Sequence, residues 1–142
     1  MPPEEAEELH PSLKRNGVDL ITLLAPTTGT ARSARLAAVG EGFLYYVSMT
    51  GVNGAQQVNA AAIAPAVQEL KESSSVPVAV GFGISSPEDA RAVAEVADAV
   101  VVGSALVKLI AQFSGTPQLL AEVKGFVQKL KAAIQPPRQG KE

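Results

Sequence analysis

The chain has 142 residues, of which 46% are hydrophobic and 18% charged, and its formal net charge is −2. This composition predicts one globular domain with a hydrophobic core and excludes an intrinsically disordered chain. The slightly negative net charge argues against a nucleic-acid-binding protein, which would need a basic surface. The chain has no Cys and one His, which excludes a disulfide framework, a thiolate nucleophile and a Cys- or His-rich metal site.

Four short apolar runs predict buried strands. In chain order they cover residues 19–25, 43–48, 76–81 and 99–103. Their apolar residues are continuous rather than alternating, which is typical of parallel strands that are covered on both faces. The spacing of the runs leaves room for a crossover helix between each strand and the next.

Helical patterns lie before, between and after these strands. A first helix carries Leu9 and Leu13 and ends near Asn16, and its polar side chains, among them His10 and Lys14, are expected to be solvated. The other helices are predicted over 31–39, over 59–73, from Ser86, from Ser104 to about residue 112, and over 117–134. The start at Ser86 is the clearest, with a Ser N-cap, a Pro at the first helical position and acids in the first turn.

Four consecutive βα units fit either an open doubly wound sheet or half of a (β/α)₈ barrel. Residues 1–134 form this α/β domain in the prediction, and residues 135–142 form a disordered tail. No apolar stretch approaches the ~20 residues of a membrane span, and the acidic start of the chain is unlike a signal peptide. We therefore expect a soluble, cytoplasmic protein.

Gly- and Ser-rich motifs directly follow three of the predicted strands. They are residues 48–54, residues 81–86 and Gly103-Ser104-Ala105. The carboxyl ends of strands bind ligands in both architectures, and glycine lets backbone N–H groups approach an oxyanion closely. Ser104 adds a hydroxyl donor at the start of a helix. The pattern predicts a phosphate site; the alternative is that the glycines serve only tight turns.

Two nucleotide-binding motifs, the dinucleotide-binding fingerprint and the P-loop, are excluded by the sequence. The run 81–86 has Ser86 where a dinucleotide-binding fingerprint has its third Gly, and no acidic residue follows a second strand at the required distance. The Gly-Lys-Ser/Thr triplet of a P-loop is absent as well.

Four segments carry a family resemblance. They are Leu-Leu-Ala-Pro-Thr-Thr at 23–28 and the motifs at 42–55, 77–88 and 99–107. Together they closely resemble the tryptophan synthase alpha chain family, from Pro2 to about Ala133. The resemblance implies a (β/α)₈ barrel, here its fifth to eighth βα units, and the cleavage of indole-3-glycerol phosphate to indole and glyceraldehyde 3-phosphate.

The resemblance also implies site residues. The substrate phosphate would be bound by Gly54, Gly83, Gly103 and Ser104. The indole pocket would include Tyr45, Phe82, Leu23 and Asn53, with simple core packing as the alternative for the three apolar or aromatic side chains. Met49 stands where the family commonly has an arginine, and Asn53 where it has a threonine, both on the loop that closes over substrate.

No catalytic residue is predicted in this chain, because the two acid/base carboxylates of the family would precede Met1. By itself the chain is therefore expected to be inactive. Neither a cofactor nor a metal is implied, and the partner implied is the tryptophan synthase beta chain. Two alternatives remain. One is a non-catalytic half-barrel that forms a homodimer through its open sheet edges or complements a missing half. The other is a different phosphate-binding barrel enzyme of the histidine and tryptophan pathways.

Overall fold

The structure is a computed structural model that describes residue 6 and residues 8–48, 59–81 and 83–135. The tail predicted over 135–142 lies outside this part of the chain, except for Gln135. The described elements are, in order, α1 (His10–Arg15), β1 (Thr22–Leu24), a 3-10 helix (Pro26–Thr28), α2 (Thr30–Ala38), β2 (Leu44–Val47), α3 (Ala60–Ser73), β3 (Val78–Gly81), α4 (Pro87–Ala94), β4 (Ala99–Val101), α5 (Ser104–Phe113) and α6 (Leu119–Ile134).

Every strand and helix predicted from the sequence is present, although the strands are shorter than their apolar runs. The 3-10 helix was not predicted. Pro26 occupies its first position, and the Thr28 hydroxyl accepts a hydrogen bond of 3.0 Å from the Ala25 backbone N–H. This turn reverses the chain between β1 and α2.

The four strands form one parallel sheet in the order β1-β2-β3-β4. A doubly wound sheet would reverse its strand order at a switch point and carry helices on both faces. Here the order is strictly sequential, as it is around a (β/α)₈ barrel. The structure thus has the topology of half a barrel, as expected.

The core lies between one face of the sheet and the helices. Alternate strand residues point into it, because successive side chains of a strand face opposite sides. The strands contribute Leu24, Leu44, Tyr46, Val78 and Val80, and the helices contribute Leu36, Ala37, Ile63, Val67, Leu70, Ala90 and Val93. Helices α2, α3 and α4 therefore pack on this face, which we call the helix face.

The opposite face of the sheet, which we call the open face, is only partly covered. Leu23 is 63% exposed, Ala99 is exposed, and Tyr45 and Val47 are half-buried. The expectation of strands covered on both faces holds for β3, all of whose residues are buried, and is wrong for β1, β2 and β4. In a closed barrel the inner face is filled by side chains from all eight strands, and four strands supply only half of those layers.

Glu41 fastens the first helix to the amino ends of the strands. Its carboxylate lies 2.9 Å from Lys14 Nζ and 3.1 Å from His10 Nε2, and it accepts a 3.3 Å hydrogen bond from the Leu20 backbone N–H. The hydrogen bond from Lys14, followed by that from Leu20, lowers the pKa of Glu41 to about 2. His10 and Lys14 are thus structural partners rather than purely solvated side chains.

Among the described residues, no helix is long and apolar enough to cross a membrane.

Candidate functional site

The carboxyl ends of the strands bring the loops of interest to one edge of the sheet. Gly81 pairs with Val47 on one side and with Val101 on the other. Gly83 and Gly103 each follow a residue of the Gly81–Val101 pair by two positions. The loops after β3 and β4 are consequently neighbours, as the sequence predicted.

The start of α5 is an open helix terminus. Gly103 is the N-cap residue, and no side chain of the described residues caps the helix. Gly103 and Ser104 are exposed, and in the part of the chain that the structure describes nothing lies within 4 Å of the position that a Cβ on Gly103 would occupy. The first-turn N–H groups of a helix have no partner inside it and carry the positive end of its dipole. This terminus can therefore accept an anion.

The start of α4 differs because its N–H groups are already bonded within the chain. The Ser86 hydroxyl accepts from the Asp89 N–H at 3.1 Å, which confirms the predicted N-cap. In return, Asp89 Oδ2 accepts from the backbone N–H groups of Ser85 and Ser86, both at 3.1 Å. The carboxylate of Asp89 occupies the place of an external anion there, so the free capacity lies at α5.

Two glycines of the loop after β3 have distinct structural reasons. Gly83 has φ = +77°, a backbone conformation that L side chains rarely adopt. Gly81 permits a close approach, since a Cβ there would lie 2.8 Å from Tyr45 Cζ, nearer still to the Tyr45 hydroxyl, and 3.0 Å from Val101 Cβ. In the sequence, Gly81 is only part of a predicted phosphate motif. Its packing against Tyr45 depends on the strand register, which the sequence does not show.

Leu23 and Tyr45 of the predicted indole pocket are brought side by side. They are register partners in β1 and β2, and the same row continues to Ala79 and Ala99. The row crosses the open face just below the loops that carry Gly83 and Ser104. The other predicted site residues, Asn53, Gly54 and Phe82, lie outside the described residues, as does Met49.

Ser48 is a structural residue that sequence reasoning did not single out. It is fully buried at the end of β2, and both its backbone N–H (3.1 Å) and its hydroxyl (3.2 Å) donate to the Gly81 carbonyl oxygen. These bonds extend the pairing of β2 and β3 by one residue and help to fix the position of Gly81, which packs against the Tyr45 ring. A single Ser after an apolar run gives no sequence signal for this role.

A metal centre is not found among the described residues, where no group of three or more His, Asp or Glu side chains could hold an ion. The chemistry available at this edge of the sheet is therefore the binding of an anion at α5, above an apolar row that contains one phenol.

Comparison with known proteins identifies the family. The family model for the tryptophan synthase alpha chain matches residues 1–135. The tryptophan synthase alpha chain of Geotalea uraniireducens is 50% identical over 134 residues, which are 94% of this chain and 50% of that protein. The alpha chain of Phenylobacterium zucineum is 47% identical over 142 residues, which are 99% of this chain and 51% of that protein.

Solved structures are similar to this chain in fold and support the same family. A protein of Aquifex aeolicus VF5 superposes with a TM-score of 0.78 at 36% identity, over 96% of this chain and 49% of that one. The tryptophan synthase alpha chain of Legionella pneumophila superposes with a TM-score of 0.78 at 32% identity, over 98% and 51%. The chain spans about half the length of the relatives that it matches. On its sequence and its fold, this chain belongs to the tryptophan synthase alpha chain family.

Proposed function

We propose that this chain supplies the phosphate-binding half of a lyase that cleaves indole-3-glycerol phosphate to indole and glyceraldehyde 3-phosphate in tryptophan biosynthesis. The observation that carries the proposal is the uncapped start of α5 at Gly103 and Ser104, beside the loop of Gly83. Membership of the alpha chain family supplies the identity of the phosphate ester.

In the proposed complex the phosphate lies against the first turn of α5. The Ser104 hydroxyl and the first-turn N–H groups donate to its oxygens, and the missing Cβ of Gly103 leaves space for them. Gly83 belongs to the neighbouring loop, and we assign Gly54 to the same cradle from the family resemblance. Lys108 is exposed one turn further along α5, where its charge adds a longer-range attraction.

The indole ring would lie on the open face, over Leu23 and Tyr45. The 63% exposure of Leu23 and the half-burial of Tyr45 leave apolar surface there for a ring to cover. We assign Phe82 and Asn53 to the same pocket from the family resemblance.

Cleavage of the substrate requires a general acid and a general base, because protons must move on and off the indole as its bond to the glycerol chain breaks. The acids of the described residues that bond to other parts of the chain, buried Asp89, half-buried Glu41 and exposed Asp98, have structural tasks. Asp89 caps α4, while Glu41 and Asp98 lie at the amino ends of the strands in ion pairs with Lys14 and Lys71. We therefore propose that this chain has no acid/base pair of its own and is inactive alone.

A second candidate function is assembly without catalysis. Within the described residues the sheet has two edge strands, β1 and β4, each paired on one side only, and its open face carries exposed Leu23 and Ala99. Unpaired edges and apolar faces favour association. A homodimer or a complex with a complementary half-barrel would cover both. Another phosphate-binding barrel reaction of the same pathways would use the same cradle with a different ring pocket.

The family also suggests a partner and a location. The solved relatives include tryptophan synthase of M. tuberculosis, at 28% identity and a TM-score of 0.76. We propose that a beta chain of tryptophan synthase is the partner of the complete protein and that the reaction takes place in the cytoplasm.

The phosphate site is tested by titration with glycerol 3-phosphate. We expect saturable changes in the backbone amide resonances of Ser104 and Ala105, and a loss of about 0.5–1.5 kcal/mol of binding free energy in Ser104→Ala. Ser114→Ala, an exposed position at the other end of the same helix, is the matched control. Equal affinity of the chain and Ser104→Ala would remove this hydroxyl from the site, and unchanged α5 amides would overturn the cradle.

A further inference from the structure

A cleft lies on the helix face of the sheet, between α2 and α3, away from the proposed phosphate site. Its free volume is about 70 Å³. One buried water needs roughly 15 Å³ on the same kind of measure, so the cleft has room for a ligand of about five heavy atoms. Its walls come from the turn after β1, from the first half of α2 and from the second half of α3.

The lining of this cleft includes Tyr46, a buried residue whose hydroxyl has no partner among the described residues. Tyr46 is only 5% exposed, and no hydrogen bond of its hydroxyl is found in the part of the chain that the structure describes. Burial alone raises the pKa of Tyr46, so this phenol is neutral at physiological pH. Buried polar groups are nearly always hydrogen-bonded, and one that lines a cleft without a partner points to a bound molecule.

The lining also includes other polar residues and one negative charge. Thr30 and Ser33 of α2 and Ser73 of α3 contribute hydroxyls, and Glu69 of α3 contributes an exposed carboxylate. Among residues 8–48, 59–81 and 83–135, no ion pair or hydrogen bond of Glu69 is found. The carboxylate therefore has its acceptor capacity free for a ligand.

The rest of the lining is mostly apolar. Ala25 and Pro26 line one side, and Ala34, Ala66 and Leu70 line the others. A ligand that fits must bring an aliphatic body of a few carbons to these walls and a donor to the two free oxygens.

We propose that this cleft is a second ligand site and that it binds a small aliphatic primary amine in its ammonium form. An ammonium has three N–H donors, which match the Glu69 carboxylate, an acceptor only, and the lone pairs of the Tyr46 hydroxyl oxygen. A carboxylate ligand would be repelled by Glu69, and an alcohol would leave that charge uncompensated. The site is independent of the proposed lyase function, because it lies on the opposite side of the sheet from Leu23 and Tyr45.

The probe that tests the proposal is n-butylamine, with n-butanol and butyrate as matched neutral and anionic compounds. We expect butylamine to shift the backbone amide resonances of Ser33, Ala66 and Leu70 saturably. Its affinity should exceed that of either control compound by about fivefold or more. The absence of saturable shifts at these amides, or equal affinity of butylamine and butanol, overturns the proposal.

Two conservative variants make the test specific. Glu69→Gln removes the charge and Tyr46→Phe removes the hydroxyl, and each should weaken butylamine binding by about fivefold. Glu72→Gln, which changes an exposed carboxylate one turn along the same helix, should leave it unchanged. Unchanged butylamine affinity in either of the first two variants overturns the proposal. Glycerol 3-phosphate titration of the same variants should be unaltered, so the two sites can fail separately.

Discussion

Glu41 connects three parts of the chain at the amino ends of the strands. Its side chain is 15% exposed and binds Lys14, His10 and the backbone of Leu20. Its ionised form is therefore stabilised by the folded state, which is what a pKa of about 2 expresses. The interaction fixes α1 at the end of the sheet opposite to the phosphate loops, so it acts on stability rather than on binding.

The pH dependence of stability tests this role of Glu41. Its folded pKa lies below the ordinary 4.5, so the stabilisation is complete above about pH 4.5 and disappears as the pH falls towards 2. We expect Glu41→Gln to melt at a lower temperature than the original chain at pH 7, and the gap to close between pH 4.5 and pH 2. Melting curves across this range measure the gap. Glu95→Gln, an exposed control, should show none, and a gap for Glu41→Gln that is independent of pH would contradict the ionic account.

Gly81 and Tyr45 form a second residue-scale prediction. A methyl group on Gly81 would overlap the Tyr45 ring, so Gly81→Ala should cost about 1–3 kcal/mol of unfolding free energy. In a Tyr45→Ala background the main obstacle is gone and the cost should shrink. Urea unfolding of the two single variants and the double variant gives the coupling energy. Strict additivity would show that the two residues do not meet as described.

At the scale of the elements, the N-termini of α4 and α5 have different roles: the first is structural and the second is proposed to bind a ligand. The N-terminus of α4 is capped by Ser86 and Asp89, whereas that of α5 has no side-chain cap. The first arrangement satisfies the helix from within the chain, and the second leaves it ready for a ligand.

A matched pair of serine variants tests this difference. Ser86→Ala should lower the unfolding free energy by about 1 kcal/mol, because it removes an N-cap acceptor. Ser104→Ala removes no cap and should change it by less than about 0.5 kcal/mol. Urea unfolding without phosphate compares the two, and equal losses would mean that Ser104 is a structural residue.

How far the sequence predicts these elements depends on how local their causes are. The strand at 78–81 and the helix from Ser86 follow from an apolar run and from a Ser-Pro-Glu-Asp start, so both were predicted. The partners of Glu41 lie 21 to 31 residues away along the chain, and no local pattern indicates them. The contact of Tyr45 with Gly81 depends on strand register. The partner-free Tyr46 hydroxyl depends on how α2 and α3 pack, and it could not be predicted either.

At the scale of the whole molecule, the described residues form a half-barrel whose uncovered surfaces are apolar. The open face is one such surface, and the outer sides of α5 and α6 are another, where Val107, Leu120 and Val127 are exposed. Exposed apolar patches of this kind mark surfaces for association. The continuous apolar runs in the sequence correctly predict an apolar character for both faces of the strands. The open face is buried at β3, and further strands would be needed to bury it at β1 and β4.

The most direct measurement of the central claim is the release of indole from indole-3-glycerol phosphate. The assay compares this chain alone, the half of the Geotalea uraniireducens alpha chain that it does not match, and a mixture of the two. We predict no turnover by either part alone and indole formation by the mixture, because only together would they hold the phosphate cradle and the acid/base pair. Indole release by this chain alone would contradict the account.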